Sequence, residues 1–322
     1  MSVVRSSGFG WRTVTCLLAG CAAFGATAAA GNSRKPPESE LRFWLENMIW
    51  HHRFTTEEVS LATGMSEQDV LQAQSKLGIT AGNRLKFVRK GVVRMLPYPG
   101  GRHPRIGFLE GAVNPQRETK ISVFTPWDEA SYVVVDLPEA IWSQHGLLYL
   151  AHTHVPTLWS KQGITLEPLE WTRGRDGTLS IERKLPNGVV FGATGEPRTN
   201  AVRMELWLKN GSSETLRDLR VQNCVMLKGA DGFNQQTNAN KIFQPPYVAC
   251  GSPERTRWII TAWTPNHRAW GNAPVPCLHS DPKFPDCAPG EAQRLRGWLW
   301  FYEGSAITNE LARLAATGWE SN

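Results

Sequence analysis

The chain of 322 residues sets 35 Lys and Arg against 29 Asp and Glu, and 41% of it is apolar. That balance excludes a disordered chain, and a formal charge of +6 over this length is too mild to demand a polyanionic partner. The length suffices for one large domain or two modest ones.

The N-terminus carries Arg5 and Arg12, then an uncharged stretch from Thr13 to Ala30 with A-x-A spacing at Ala26, Ala28 and Ala30. This is the architecture of a signal peptide over residues 1–30, and it predicts export to the periplasm or the medium. Leu18-Ala19-Gly20-Cys21 also reads as a lipobox. A membrane partner is therefore expected only if Cys21 carries a lipid. Residues 31–39 are a polar, Pro-containing linker.

Residues 40–80 change to helical spacing. Leu41, Trp44, Leu45 and Met48 recur at three and four, which predicts an amphipathic helix. Thr55 and Ser66 are N-cap residues with acids in the turn that follows, and Gly78 stands where a helix stops. Two helices around Gly64, followed by Arg84, Lys86, Arg89, Lys90 and Arg94, resemble a helix-turn-helix with a basic wing. The chemistry opposes that reading. The would-be recognition helix, Ser66 to Leu77, places Glu67 and Asp69 where phosphates would lie, against one Lys76. No nucleic-acid partner is expected, and the unit reads as helix packing.

Beyond residue 84 the period becomes two. Lys86 to Met95 reads as a hairpin turning near Lys90-Gly91. Strands are predicted at Ile121–Phe124, Tyr132–Val135, Leu147–Ala151, Leu179–Arg183, Val189–Phe191, Val202–Leu208, Leu219–Leu227, Arg257–Trp263 and Arg296–Tyr302. So many strands with few helices predict a mainly β chain, a large antiparallel sandwich or barrel over 84–304. A final helix over Thr308–Thr317 lies in a tail of residues 305–322. Cys224, Cys250, Cys277 and Cys287 allow two disulfides in an exported protein, and Cys277 with Cys287 would close a Pro- and Asp-rich loop. None of their spacings is C-x-x-C, so a structural zinc site is not expected.

Several polar groups invite chemistry. His152 and His154, two apart on a strand, share one face at about 7 Å. That spacing suits two metal ligands, with His279 and either Asp281 or Asp128 completing a set. A single H-x-H is a weak motif, so no cofactor is expected, and a divalent metal at His152/His154 is the lesser alternative. His267 and Trp270, in TPNHRAWGN, read as a ligand-facing loop. Trp127-Asp128, Trp159-Ser160-Lys161 and Trp270-Gly271-Asn272 each put an indole beside a polar group. This interleaving suits a glycan groove and a packed sandwich corner equally.

The order of several short motifs adds a resemblance. Pro99 to Phe108 (PGGRHPRIGF) comes first, then Leu150-Ala151-His152-Thr153-His154, Gly163 and Trp171. Val202 to Leu216 follows, and Pro285 to Glu291 precedes the strand RGWLWFYEG. Over about residues 97–304 this order resembles the galactose-mutarotase-like, or aldose-epimerase-type, β-supersandwich. The resemblance implies a sugar held in an open groove, with Arg105 as the sugar-holding arginine beside Arg102 and His103, and His152 or His154 as the substrate-binding histidine. Asp128, Trp159, His267 and Trp270 join them as substrate contacts. Two departures stand out. Asn223-Cys224-Val225 replaces the family's acid histidine, and His279-Ser280-Asp281 replaces its glutamate base. The expected catalytic set is then Asp281 as base with His154 or His279 as acid. A carbohydrate-binding protein and an epimerase- or glycosidase/lyase-like enzyme lacking the usual His/Glu pair both remain open. The alternatives are a non-enzymatic envelope or structural interaction module and, if the N-terminus is retained, a cytoplasmic DNA-linked sugar sensor.

Overall fold

A computed structural model describes residues 33–84, 91–102, 117–152 and 154–321. The helices are α1 (Leu41–Leu45), running on as a π-helical turn over Glu46–His51, then α2 (Thr56–Thr63), α3 (Glu67–Leu77) and α4 (Ile307–Ala316). The first strands are β1 (Met95–Pro97), β2 (Lys120–Phe124), β3 (Tyr132–Ser143), β4 (Gly146–Leu150) and β5 (Thr172–Arg173). Next come β6 (Leu179–Lys184), β7 (Val190–Arg198), β8 (Ala201–Lys209), β9 (Val221–Met226) and β10 (Lys241–Gln244). The last are β11 (Tyr247–Gly251), β12 (Arg257–Thr264), β13 (Asn266–Trp270), β14 (Cys277–Pro282) and β15 (Ala292–Glu303).

The molecule is mainly β, as its alternation predicts. The first sheet runs β1-β2-β3-β9-β14-β13 with β4 added beside β3, and the second runs β10-β11-β12-β15-β8-β7-β6-β5. All the pairings are antiparallel. The sheets pack face to face. Ile121, Val123, Val133 and Val135 of the first meet Phe191, Leu206, Trp263 and Leu299 of the second in one apolar cluster. Strand β8 alternates buried and half-buried residues, whereas every residue of β2 is buried. A strand covered on both faces needs no polar side, so β2 and β3 read as near-continuous apolar runs. α4 lies on the outer side of the second sheet, where Ile307, Leu311 and Leu314 pack with Trp258, Ile260 and Trp300.

Local chemistry shapes the helical segment. Thr55 caps α2 in a reciprocal capping box with Glu58, Ser66 caps α3, and both helices stop at a left-handed glycine, Gly64 and Gly78. Trp44, Leu45, Met48, Val59, Val70 and Ile79 form its own core. It docks on the face of the first sheet that points away from the second. Asn47 Nδ2 donates to Pro97 O at 3.0 Å and His52 Nε2 meets Ser122 Oγ at 2.7 Å. The His52 ring lies edge-on to Phe124 and Tyr132, with centroids at 5.2 and 4.7 Å. Arg102 is paired with Glu58 at 2.7 Å.

Several sequence expectations need correction. The expected Lys86–Met95 hairpin falls largely outside the described residues, and Met95 instead opens β1 and pairs with Val123 of β2. β5, β10, β11, β13 and β14 occupy stretches without clear alternation. Pro245, Pro246, Pro265, Pro274, Pro276 and Pro282 punctuate most of that region and disguise short strands as loops. His267 and Trp270 accordingly stand on a strand, β13, rather than on a loop. The four cysteines are thiols, and no bond joins Cys277 to Cys287.

Candidate functional site

The outward face of the first sheet carries a row of polar residues lying side by side across the strands. Lys120 of β2 pairs with Asp136 of β3, which pairs with Cys224 of β9. The β9–β14 register, Cys277↔Met226 and Leu278↔Val225, sets Cys224 opposite His279. Trp270 of β13 pairs with His279 in turn. Strand period two puts Cys277 and Asp281 on the same face as His279. Residues as far apart in sequence as Glu139 and His279 thus meet because strand register, not sequence proximity, positions them.

Contacts knit this row together. Lys120 Nζ donates to Asp136 Oδ1 at 2.5 Å, and both side chains are fully buried. Burial, the largest single influence, would raise the Asp136 pKa, but the Lys120 charge together with the hydrogen bond and charge of His152 outweighs it and holds the carboxyl below its ordinary range. His152 Nε2 faces Glu139 Oε1 at 3.2 Å and Asp136 Oδ2 at 3.5 Å. Gln222 Nε2 donates to the other Glu139 oxygen at 2.8 Å, and His279 Nδ1 faces that oxygen at 3.9 Å. Glu139 therefore stands between the two buried histidines. His279 Nε2 lies 3.2 Å from Cys277 Sγ. Hydrogen bonding from Cys224, then the charge and hydrogen bond of His279, bring the Cys277 thiol down to about 4 against the opposing effect of burial. Burial would lower the His279 pKa, but Cys277 and Asp281 outweigh it and raise it to about 10.

At the β13 end the row opens. The Trp270 ring stacks on His279, centroids 4.1 Å apart and planes at 16°. Asp281 Oδ2 accepts from Trp270 Nε1 at 2.6 Å and from Arg268 Nη2 at 2.8 Å, while Oδ1 accepts from the Asn223 amide at 3.3 Å. A concavity of about 330 Å³ lies here, lined by Trp142, Arg220, Gln222, His267, Arg268 and Asp281. Toward the other end of β3 lies a second concavity of about 380 Å³, lined by His52, Arg53, Tyr98, Arg102, Tyr132 and Lys228.

The structure thus brings together His152, His279, Asp281 and Trp270, with His267 at the rim. Of the other expected residues, His154 also comes close, its ring 5.9 Å from that of His152, and the rest of those described do not. Arg102 belongs to the second concavity, where Glu58 holds it and Phe54 lies under its guanidinium at 4.4 Å. Asp128 Oδ1 accepts from the Ala130 amide at 2.8 Å and so stabilises a turn. Trp159 is buried, its indole donating to Leu148 O at 2.7 Å. His103 and Arg105 lie outside the described residues. His152 and His154 lie together as expected, but beyond the end of the strand rather than on its face. β4 ends at Leu150, His152 turns inward to Asp136 and Glu139, and His154 is exposed. His279 is 2% exposed beneath Trp270, so it does not meet an open groove directly. Sequence reasoning missed Lys120, Asp136, Glu139, Trp142, Gln222 and Arg268. Lys120 and Asp136 did leave a signal, since charges set in the apolar runs KISVF and YVVVDL need a buried partner.

No family model matches the sequence, and no curated protein matches it. Among solved structures, a candidate kojibiose phosphorylase from human microbiome aligns at 8% identity and TM-score 0.37, over 71% of this chain and 28% of that one. The Slr1438 protein from Synechocystis sp. PCC 6803 aligns at 9% identity and TM-score 0.34, over 68% of this chain and 100% of that one. A polysaccharide lyase aligns at 11% identity and TM-score 0.32, over 67% of this chain and 33% of its own length. The chain therefore spans about a third or less of the two carbohydrate enzymes. At these scores the alignments assign no activity.

Proposed function

We propose that this is an exported carbohydrate-binding protein that holds a sugar residue in the concavity floored by Asp281. One observation carries the reading: the half-buried Trp142 indole shares that 330 Å³ space with Arg220, Gln222, His267, Arg268 and Asp281. A volume of this order lies at the small end of ligand sites and fits a sugar ring. The apolar face of a pyranose stacks on an indole, while guanidinium, amide and imidazole groups bond its hydroxyls. The motif order that resembles the aldose-epimerase fold points the same way.

Binding suits the geometry better than acid–base chemistry. Both Asp281 oxygens already accept hydrogen bonds, from Trp270, Arg268 and the Asn223 amide, so the carboxylate is held as a fixed wall. His279, the expected acid, lies under the Trp270 ring. General acid–base catalysis needs both groups within reach of the substrate's protons.

Titration calorimetry against a panel of neutral and uronic-acid oligosaccharides tests this reading. At least one is expected to saturate, with Trp142→Ala and Arg268→Ala each weakening it about 10-fold or more, the scale of one lost charged hydrogen bond or stacked ring. Equal binding by both variants would place the sugar elsewhere, and no binding across the panel would reject the function. Acceleration of anomer interconversion by the wild-type protein would make it an enzyme instead.

A further inference from the structure

Beneath Trp270, and independent of any sugar, lies a second chemical feature. Cys224, Cys277 and His279 each offer a donor atom, and these atoms lie within 4.8 Å of one another with all three residues buried. Bonds of about 2.3 Å to sulfur and about 2.0 Å to nitrogen set the donors of one metal ion roughly 3.5–4 Å apart. The His279 Nε2 to Cys277 Sγ distance of 3.2 Å needs only a small opening to reach that. We infer that Cys224, Cys277 and His279 form a binding site for a thiophilic d¹⁰ cation, Zn(II) or Cu(I).

Three further observations bear on the site. First, the donors sit on adjacent paired strands in the middle of a sheet, Cys277 and His279 on β14 and Cys224 on β9, so the backbone fixes their separation. Second, His279 presents Nε2 to the thiols and Nδ1 to carboxylates, Asp281 Oδ1 at 3.7 Å and Glu139 Oε2 at 3.9 Å. A metal-bound imidazole characteristically donates its other N–H to a carboxylate, which fixes tautomer and ring orientation. Third, the donor set is soft: two sulfurs and one imidazole favour Zn(II) and Cu(I) over Mg(II) or Ca(II). The neighbouring trio of Asp136, Glu139 and His152 makes a useful contrast. There the Lys120 ammonium, 2.5 Å from Asp136, already supplies the positive charge. The absence of a C-x-x-C spacing is no obstacle, because β pairing supplies the proximity that a knuckle provides elsewhere.

On loading, Cys224 gives up its thiol proton and the Cys277–His279 pair gives up the one proton it shares between sulfur and Nε2, so that two thiolates and a neutral imidazole hold the ion, two protons pass to solvent, and no oxidation state changes. The test uses the full-length protein, reduced and freed of metal under argon. Co(II), the spectroscopic substitute for Zn(II), is expected to give a thiolate-to-cobalt charge-transfer band and tetrahedral d–d bands saturating at one equivalent. Zn(II) should bleach them. Competition with a chromophoric Cu(I) chelator decides which of the two ions binds more tightly. Cys277→Ser is expected to lose the charge-transfer band, and Cys250→Ser, which alters a buried thiol on β11, should retain it. Zn(II) should also raise the melting temperature of the wild-type protein and not that of Cys277→Ser. The wild-type titration keeps the proposal falsifiable even if the variant fails to fold. Absence of thiolate bands with Co(II) and of Cu(I) capture would overturn it. So would isolation of the native protein with Cys224 and Cys277 joined as a disulfide.

Discussion

Asp136→Ala is expected to lower the unfolding free energy by about 3–5 kcal/mol, the cost of leaving a buried ammonium without its counter-ion. Among the described residues Lys120 has no other charged partner in contact, and its remaining bond is to the Ala151 carbonyl at 3.3 Å. The reciprocal Lys120→Met is expected to be milder, because Asp136 keeps its contact with His152. The double variant Lys120→Met/Asp136→Leu removes both charges and should recover most of the loss, since an apolar pair of similar volume is often as stable as a buried ion pair. Urea unfolding of the wild type, both singles and the double closes the cycle. If Asp136→Ala cost less than about 1 kcal/mol, water would have to reach Lys120, and the row would be an open polar groove rather than a buried one.

Acidification from pH 7 to pH 5 is expected to destabilise the protein by about 2 kcal/mol through His52 alone. Burial, only partly opposed by the hydrogen bond with Asn47, depresses its pKa from 6.5 to about 3. The unfolded chain therefore binds a proton between pH 6.5 and pH 3 that the folded protein refuses. The stabilisation is complete above pH 6.5 and is lost as pH falls through that window. His51 acts in the same direction, lowered to about 3 by burial and then by the Arg94 charge. Because His52 sits between the helical segment and Ser122, Phe124 and Tyr132 of the sheet, the loss should fall on that junction. Hydrogen exchange at pH 7 and pH 5 checks this, with faster exchange expected in α2 and β1–β2. Stability that stayed flat across the interval would mean that His52 is hydrated in solution.

The sequence made most of the second sheet legible. Val202–Leu208 alternates cleanly because one side of β8 packs inward and the other is half-open. The helix caps at Thr55 and Ser66 were legible for a different reason, as capping chemistry is local and spans three residues. The site was much less so. Asp281, His279 and Trp270 were identified, but their strands β13 and β14 were not, because prolines interrupt that region and all of β14 is buried, which leaves no polar alternation to read. Without those strands nothing placed Cys224 opposite His279 or next to Asp136. Arg102 drew attention as a sugar contact because it is an arginine in a motif. Only the structure shows that Glu58, 44 positions earlier, has claimed it.

The place of β15 has a consequence for how the molecule comes into being. The last strand, Ala292–Glu303, lies between β8 and β12 in the middle of the second sheet. Until it arrives, the β5–β8 half and the β10–β12 half are two smaller sheets, each with an open inner edge. An emerging chain can build the hairpins β7–β8 and β11–β12 early, but it cannot join them before β15 is available. Folding should therefore be slow and late, dominated by a closure step of high contact order. During the wait, the facing edges of β8 and β12 are the places where the protein is most exposed to pairing with the wrong chain.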